Sequence, residues 1–282
     1  MSGIIAFLKP PNGNEAARHA RRAYRKPFSF SQTVFIATMV FLFLPLFVLI
    51  LYSFNASKGM SWTGFSLVWY EKLFFSSKDL WKAFNNSVLI ALTSAFTATV
   101  IGTLGAIGVT WYEFKLKKYI QAITFLPMIL PEIIIGVSLL IFFAGVGIKL
   151  GLFTIYIAHT TFNLPFVFLM VMARLDEFDH SIIEAAHDLG ANERQTLLRV
   201  ILPMSMPGIV SGFLTAVTLS LEDFVITFFV SGPGSTTLPL YVYSAIRFGV
   251  SPVINALSVV MILGTVVLAF SLRNFLKYIA AK

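Results

Sequence analysis

Residues 34–54 read VFIATMVFLFLPLFVLILYSF, an unbroken apolar run without one charged side chain. A helix needs roughly 20 such residues to cross the hydrocarbon layer of a bilayer. The run is too long, and lacks the small-residue cleavage site, to be a removed signal peptide, so it reads as a retained membrane helix. Working outward, five further stretches pass the same test: 88–110, 119–143, 152–173, 209–230 and 254–272. The composition agrees, with 57% hydrophobic and only 12% charged residues among 282, far too apolar for a domain whose solvent is water. The expected fold is therefore all-α, a polytopic membrane protein of six transmembrane helices. Residues 1–27 form a basic tail and 28–282 a single transmembrane domain.

Charge placement gives the orientation. With the amino terminus in the cytoplasm, fifteen of the 21 Lys and Arg residues fall in inner segments, among them Arg21, Arg22, Lys115, Lys117, Lys118, Arg194 and Arg199. The other six, Lys58, Lys72, Lys78, Lys82, Lys149 and Arg247, fall outside. That positive-inside bias places both termini in the cytoplasm and accounts for the net charge of +8, so nucleic acid is an unnecessary partner. With no cysteine, disulfide, thiolate and cysteine-metal chemistry are excluded. His19, His180 and His187 have no second ligand at zinc-like spacing, and no metal site is expected.

One inner loop, residues 174–204, is long enough to need structure of its own. Asp179 or Ser181 can cap a short helix through Leu189, Gly190 can stop it, and Asn192 can cap a second helix through Ile201, before Pro203. The elbow so formed has a thin face at Ala185 and Ala186, flanked by Ile182, Ile183, Leu189, Leu197 and Leu198 as apolar anchors. It suits a groove on a soluble partner; periodicity alone fits equally an amphipathic segment lying on the bilayer. Glu184-Ala185-Ala186, Gly190, nine residues and then Val200 and Leu202-Pro203 resemble the coupling motif of ABC importer permeases, EAA-x3-G-x9-I-x-L-P, with valine in place of isoleucine. The resemblance implies a type I importer fold in which this cytoplasmic coupling helix inserts into a separate ATPase subunit. Glu184, Ala185, Ala186, Gly190, Leu202 and Pro203 would then form or shape the contact. No G-x-x-x-x-G-K-[ST] phosphate loop is present, so the chain is expected to be no enzyme and to hold no cofactor, ATP and Mg being bound by the partner.

Ionisable groups in a membrane span are costly and mark functional sites. Glu132, Glu222 and Asp223 lie in the third and fifth runs, and His159 in the fourth. Glu132 stands thirteen residues past Tyr119, as Glu222 does past Ile209, which at 1.5 Å per residue puts both at one depth, with His159 at nearly the same level. An acidic layer suits a cation; alternatively, His159 and one acid simply bond each other across helices. Glu222 and Asp223 point about 100° apart, and which faces the pathway is open. Beyond these residues, TLSLEDFVITFFVSGPGSTTLPLYVYSAIRFGVSPVINALS (218–258), LPEIIIGVSLL around Glu132 and AHTTFNLPFVF around His159 are similar to spermidine/putrescine permease subunits. That likeness implies a bacterial inner-membrane permease for a small cation such as a polyamine. It further implies a second, different permease subunit and an extracytoplasmic solute-binding protein. Longer glutamates at positions 132 and 222, where relatives often carry aspartate, leave the exact polyamine open.

Weaker signals remain. Trp62, Trp69, Tyr70, Phe74, Phe75 and Trp81 read as an interfacial aromatic belt, or else as a docking surface outside the membrane or a lid over the pore. Gly208 with Gly212, and Gly102, Gly105 and Gly108, are small-residue patterns for close helix packing, internal or between subunits. An ion-coupled secondary transporter is the main competing function, but no repeat of the first three spans in the last three is evident. An intramembrane enzyme lacks any recognisable signature.

Overall fold

The computed structural model describes residues 30–59, 61–179, 181–247 and 251–280; for Leu268 and residues 272–280 the description is of the backbone alone. The basic tail expected over 1–27, with His19, and also His180 lie outside the described residues. The helices in chain order are α1 Phe30–Ser53, α2 Val68–Phe75, α3 Lys78–Trp111, α4 Lys117–Ile129, α5 Glu132–Val146, α6 Leu152–Asp176, α7 Ser181–Asp188, α8 Glu193–Thr196, α9 Leu202–Glu222, α10 Val225–Val230, α11 Leu238–Arg247 and α12 Pro252–Ala280. A π-helical turn, Leu197–Ile201, joins α8 to α9. Among the described residues, five helices are long and apolar enough to cross a membrane, or six when the bent pair α4/α5 is taken as one span.

The centre of the fold is the crossing of α3, α6 and α9. Thr97 on α3 bonds Tyr156 on α6 at 2.9 Å, and Gly102 lies further along against Val167, so these two helices run parallel. Helix α9 runs the opposite way: Gly208 sits against Arg174, Gly212 against Val167 and Ser220 against His159. Lipid tails are as apolar as leucine, so association here depends on close backbone approach. Glycine permits it. A Cβ on Gly208 would stand 2.7 Å from the Arg174 Cβ, and one on Gly102 would stand 3.0 Å from Val167. These small-residue positions therefore make internal contacts, whereas Gly108 faces open space. Ala95, Ala98, Ala106 and Ala216 complete the slot, with Phe168 and Val171 filling it.

Three expectations change. The run 119–143, expected as one kinked helix, is two helices bent by 108° at a break between Ile129 and Glu132. Pro131 lacks a donor and disfavours helical geometry at the residue before it; accordingly Leu130 is extended, at ψ 139°, and the chain restarts in a new direction at Glu132. The fifth run stops at Glu222; Asp223 leaves helical geometry at ψ 122°, and a short new helix starts at Val225. The second helix of the elbow does not end before Pro203. Missing an N–H, Pro203 would break an ordinary ladder, but the π turn shifts the bonding, with the Leu202 N–H donating to Leu197 O, and the helix carries on into α9.

The segment between α1 and α3 is more than an aromatic belt. Trp69 on α2 is buried and its indole N–H donates to Asn55 O at 2.6 Å, while Leu73 packs with Leu80, Ala256 and Leu257. The Asn55 side chain ties down the turn beneath, donating to Ser61 O and accepting from the Thr63 N–H, each at 2.9 Å. Trp62 and Phe75 stay exposed. Of α1, only Ser53 is buried.

Candidate functional site

The six residues expected to form the coupling elbow lie on the segment from α7 to the start of α9, which packs on the bundle through Ile183 and Leu197. Glu184, Ala185 and Ala186 lie on α7, whose end is closed by Gly190 in the left-handed region at φ +83°. That conformation strains any residue with a Cβ, and it lets the Gly190 and Ala191 N–H groups bond back to His187 O and Ala186 O. Asn192 and Gln195 then cap α8 reciprocally, both bonds at 2.9 Å. The apolar anchors divide. Ile183 and Leu197 turn inward and pack on the core together with Phe178, while Ile182, Leu189 and Leu198 remain exposed beside Glu184. Leu202 and Pro203 stand at the junction of the π turn with α9.

The four residues of the acidic layer converge at a second place. The arithmetic that put Glu132 and Glu222 at one depth assumed straight helices, and neither helix is straight. Even so, Glu132, Glu222 and Asp223 line one cavity of about 310 Å³ with Phe162, Leu219, Phe224 and Val225. Glu132 is the first residue of α5 and Glu222 the last of α9, so two helix interruptions face each other across it. Both glutamates are exposed to the cavity, and neither has a hydrogen-bond or ion-pair partner among the described residues.

Asp223 is different. It is buried, and its Oδ2 lies 3.1 Å from His159 Nε2, so the cross-helix pair anticipated as the alternative role for His159 is present. Oδ2 also accepts from the Thr227 N–H at 2.8 Å and its hydroxyl at 2.7 Å, and Oδ1 accepts from the Ile226 N–H at 3.2 Å. His159 Nδ1 lies 2.6 Å from Ser220 Oγ. With the ring proton on Nε2, every donor has an acceptor: Ser220 donates to Nδ1, and Nε2–H is shared between Asp223 and Thr227 Oγ1 at 2.9 Å. The adjacent acids thus part because the helix ends between them. Ser220 and Thr227 were missed by sequence reasoning, although their spacing of minus three and plus four from Asp223 matches a single helix face.

The arrangement offers two partnerless carboxylates at a helix-lined cavity, a chemistry suited to a cation carrying more than one positive charge. The family described as binding-protein-dependent transport system inner membrane component matches residues 98–282. The spermidine/putrescine transport system permease protein PotC of Haemophilus influenzae is 43% identical over 223 residues, covering 79% of this chain and 86% of that protein. PotC of Escherichia coli is 39% identical over 236 residues, 83% of this chain and 89% of that one. The putrescine transport system permease protein PotI of E. coli is 40% identical over 241 residues, 83% and 85% of the two chains. Among solved structures, a bacterial ABC importer of the acidic polysaccharide alginate superposes with a TM-score of 0.67 at 17% identity, over 88% of this chain and 99% of that one. The inward-facing MetNI methionine ABC transporter gives 0.60 at 23%, over 73% and 99%. At these identities the two structures speak for the fold alone.

Proposed function

Because this chain belongs to the binding-protein-dependent transport system inner membrane component family, we propose that it is one half of the translocation pore of an ATP-driven importer of polyamines. The observation that carries the choice of solute is the pair of unpartnered carboxylates, Glu132 and Glu222, on one cavity. A solute with two separated ammonium groups supplies what each lacks, and the relatives named for spermidine and putrescine point the same way. Glu222 and Glu132 contact the solute in this reading.

The elbow at Glu184–Gly190 faces the cytoplasm and docks on the ATPase subunit, which binds ATP and Mg. Exposed Ile182, Leu189 and Leu198 provide the apolar part of that contact. A second, related permease subunit completes the pathway beside the cavity. A solute-binding protein delivers to the opposite face. Both termini lie in the cytoplasm.

The test is uptake of labelled putrescine and spermidine into proteoliposomes holding this chain with the ATPase, permease and binding protein encoded beside it. Uptake is expected with internal or external ATP at the ATPase face and not with a proton gradient. Gradient-driven uptake without nucleotide refutes the reading in favour of a secondary transporter.

A further inference from the structure

Asp223 and Glu222 are neighbours in sequence and line the same cavity, but only Asp223 is buried among hydrogen-bond donors. Four donors converge on Asp223, two backbone and two side-chain, three of them on Oδ2 and one on Oδ1, which uses most of the accepting capacity of a carboxylate. With its side chain only 4% exposed and already bonded in this way, Asp223 offers an ammonium group far less than the partnerless Glu222 does. We infer that Asp223 is a positioning residue, latched by His159, Ser220 and Thr227, and that the latch fixes the separation of Glu132 and Glu222 and so the length of the diamine the site selects. The inference rests on the polyamine reading above for its selectivity and on geometry alone for the latch.

The mechanical connection can be followed atom by atom. Where α9 ends, the Ile226 and Thr227 N–H groups would have no acceptor, which is costly inside a membrane. Asp223 supplies both. His159 then fastens Asp223 to α6, and Thr154 fastens the far end of α10 to the same helix by donating to Val230 O at 2.7 Å. Helix α10 is thus pinned at two points. It crosses α5 at Gly136, where an added Cβ would meet the Phe229 ring at 2.7 Å. Glu132 stands one turn before Gly136 on α5. The path from His159 through Asp223, Phe229 and Gly136 therefore ends at one carboxylate, and the other is the residue preceding Asp223. A shift of α10 moves Glu132 relative to Glu222.

The experiment compares KM for putrescine and for cadaverine, one methylene longer, in the complete reconstituted transporter. Glu222→Gln is expected to raise both values about 10-fold and leave their ratio unchanged. His159→Leu and Thr227→Val are expected to change the ratio about 5-fold, the weight of one hydrogen bond of this kind. His159→Gln, which keeps a donor toward Asp223, restores it, and Thr227→Val added to His159→Leu has little further effect, as coupled residues behave. A His159→Leu variant that loses only maximal rate, with an unmoved ratio, overturns the inference. So does an Asp223→Asn variant that reproduces Glu222→Gln, since that makes Asp223 a ligand. The cysteine-free chain permits a second readout without solute: nitroxides on cysteines placed at 132 and 222 should give a narrow distance distribution that broadens with His159→Leu. Equal widths overturn the latch. If the wild-type transporter takes up neither amine, the polyamine reading fails by itself and the spin-label distances alone decide on the latch.

Discussion

Two neighbouring parts of the bundle are held together in opposite ways. Where α3, α6 and α9 cross, side chains are missing: Gly102, Gly208, Gly212 and a row of alanines let backbones touch, with Val167 and Phe168 between them. Around the cavity the same α6 and α9 are joined by polar groups instead, through His159, Ser220, Asp223 and Thr227, and the helices there are interrupted. Steric contact has no tolerance for change, since interiors are close-packed. A hydrogen-bonded joint at a helix break can be retuned one bond at a time. The crossing serves as frame, and the break is where a solute can be met.

The largest effect should come from attacking the frame. Gly208→Leu drives a side chain into Arg174 and the Met170 carbonyl, which backbone cannot avoid; we expect loss of the folded protein from the membrane fraction, measured by monodisperse yield on gel filtration. A normal yield would show that the crossing is as adaptable as the cavity. Next is Gly190→Arg at the elbow, where the left-handed φ of +83° and the bulk of arginine combine. Yield should be that of the wild type, while solute-stimulated ATP hydrolysis and uptake fall roughly 100-fold, near the upper limit of a typical coupling energy. Retained coupling would separate the elbow from the motor. Third, Glu132→Gln should weaken uptake about 10-fold through KM, comparably to Glu222→Gln, the loss of one charge-assisted bond. An effect confined to one of the two glutamates would break their symmetry. The smallest effect is in the segment between α1 and α3. Trp69→Phe removes the 2.6 Å bond to Asn55 O, costing about 1 kcal/mol and lowering the thermal midpoint by roughly 2–4 °C, with uptake unchanged.

What could be read from the sequence follows the same division. Long apolar runs such as 34–54 and 152–173 announce helices because lipid leaves no alternative for the backbone, and the elbow was legible because Gly190 and Asn192 have conformational preferences that act locally. The bend at Leu130–Pro131 was not. Proline tells that a ladder of hydrogen bonds cannot continue; it does not tell the angle at which the chain resumes, which packing of α5 against α10 at Gly136 decides. The roles of Glu222 and Asp223 were hidden for a related reason. On an unbroken helix adjacent residues differ only by rotation, and here a helix ends between them, so that both line the cavity but only Asp223 also anchors the next helix. Helices α2 and α11 were missed because eight- and ten-residue segments with mixed polarity carry too little periodicity to stand out.

The π turn at Leu197–Ile201 has a further consequence. Because it carries the helix past Pro203, residues 193–222 form one uninterrupted 30-residue rod, about 45 Å long at 1.5 Å per residue. One tip is the Asn192 cap beside Gly190; the other is Glu222. A tilt of about 10° imposed at the capped tip would sweep the carboxylate through roughly 8 Å, more than the width of a hydrated ammonium group, if the rod turned as one body. Nucleotide-driven motion and solute release would then be the two ends of a single rigid displacement, with no relay of side chains in between.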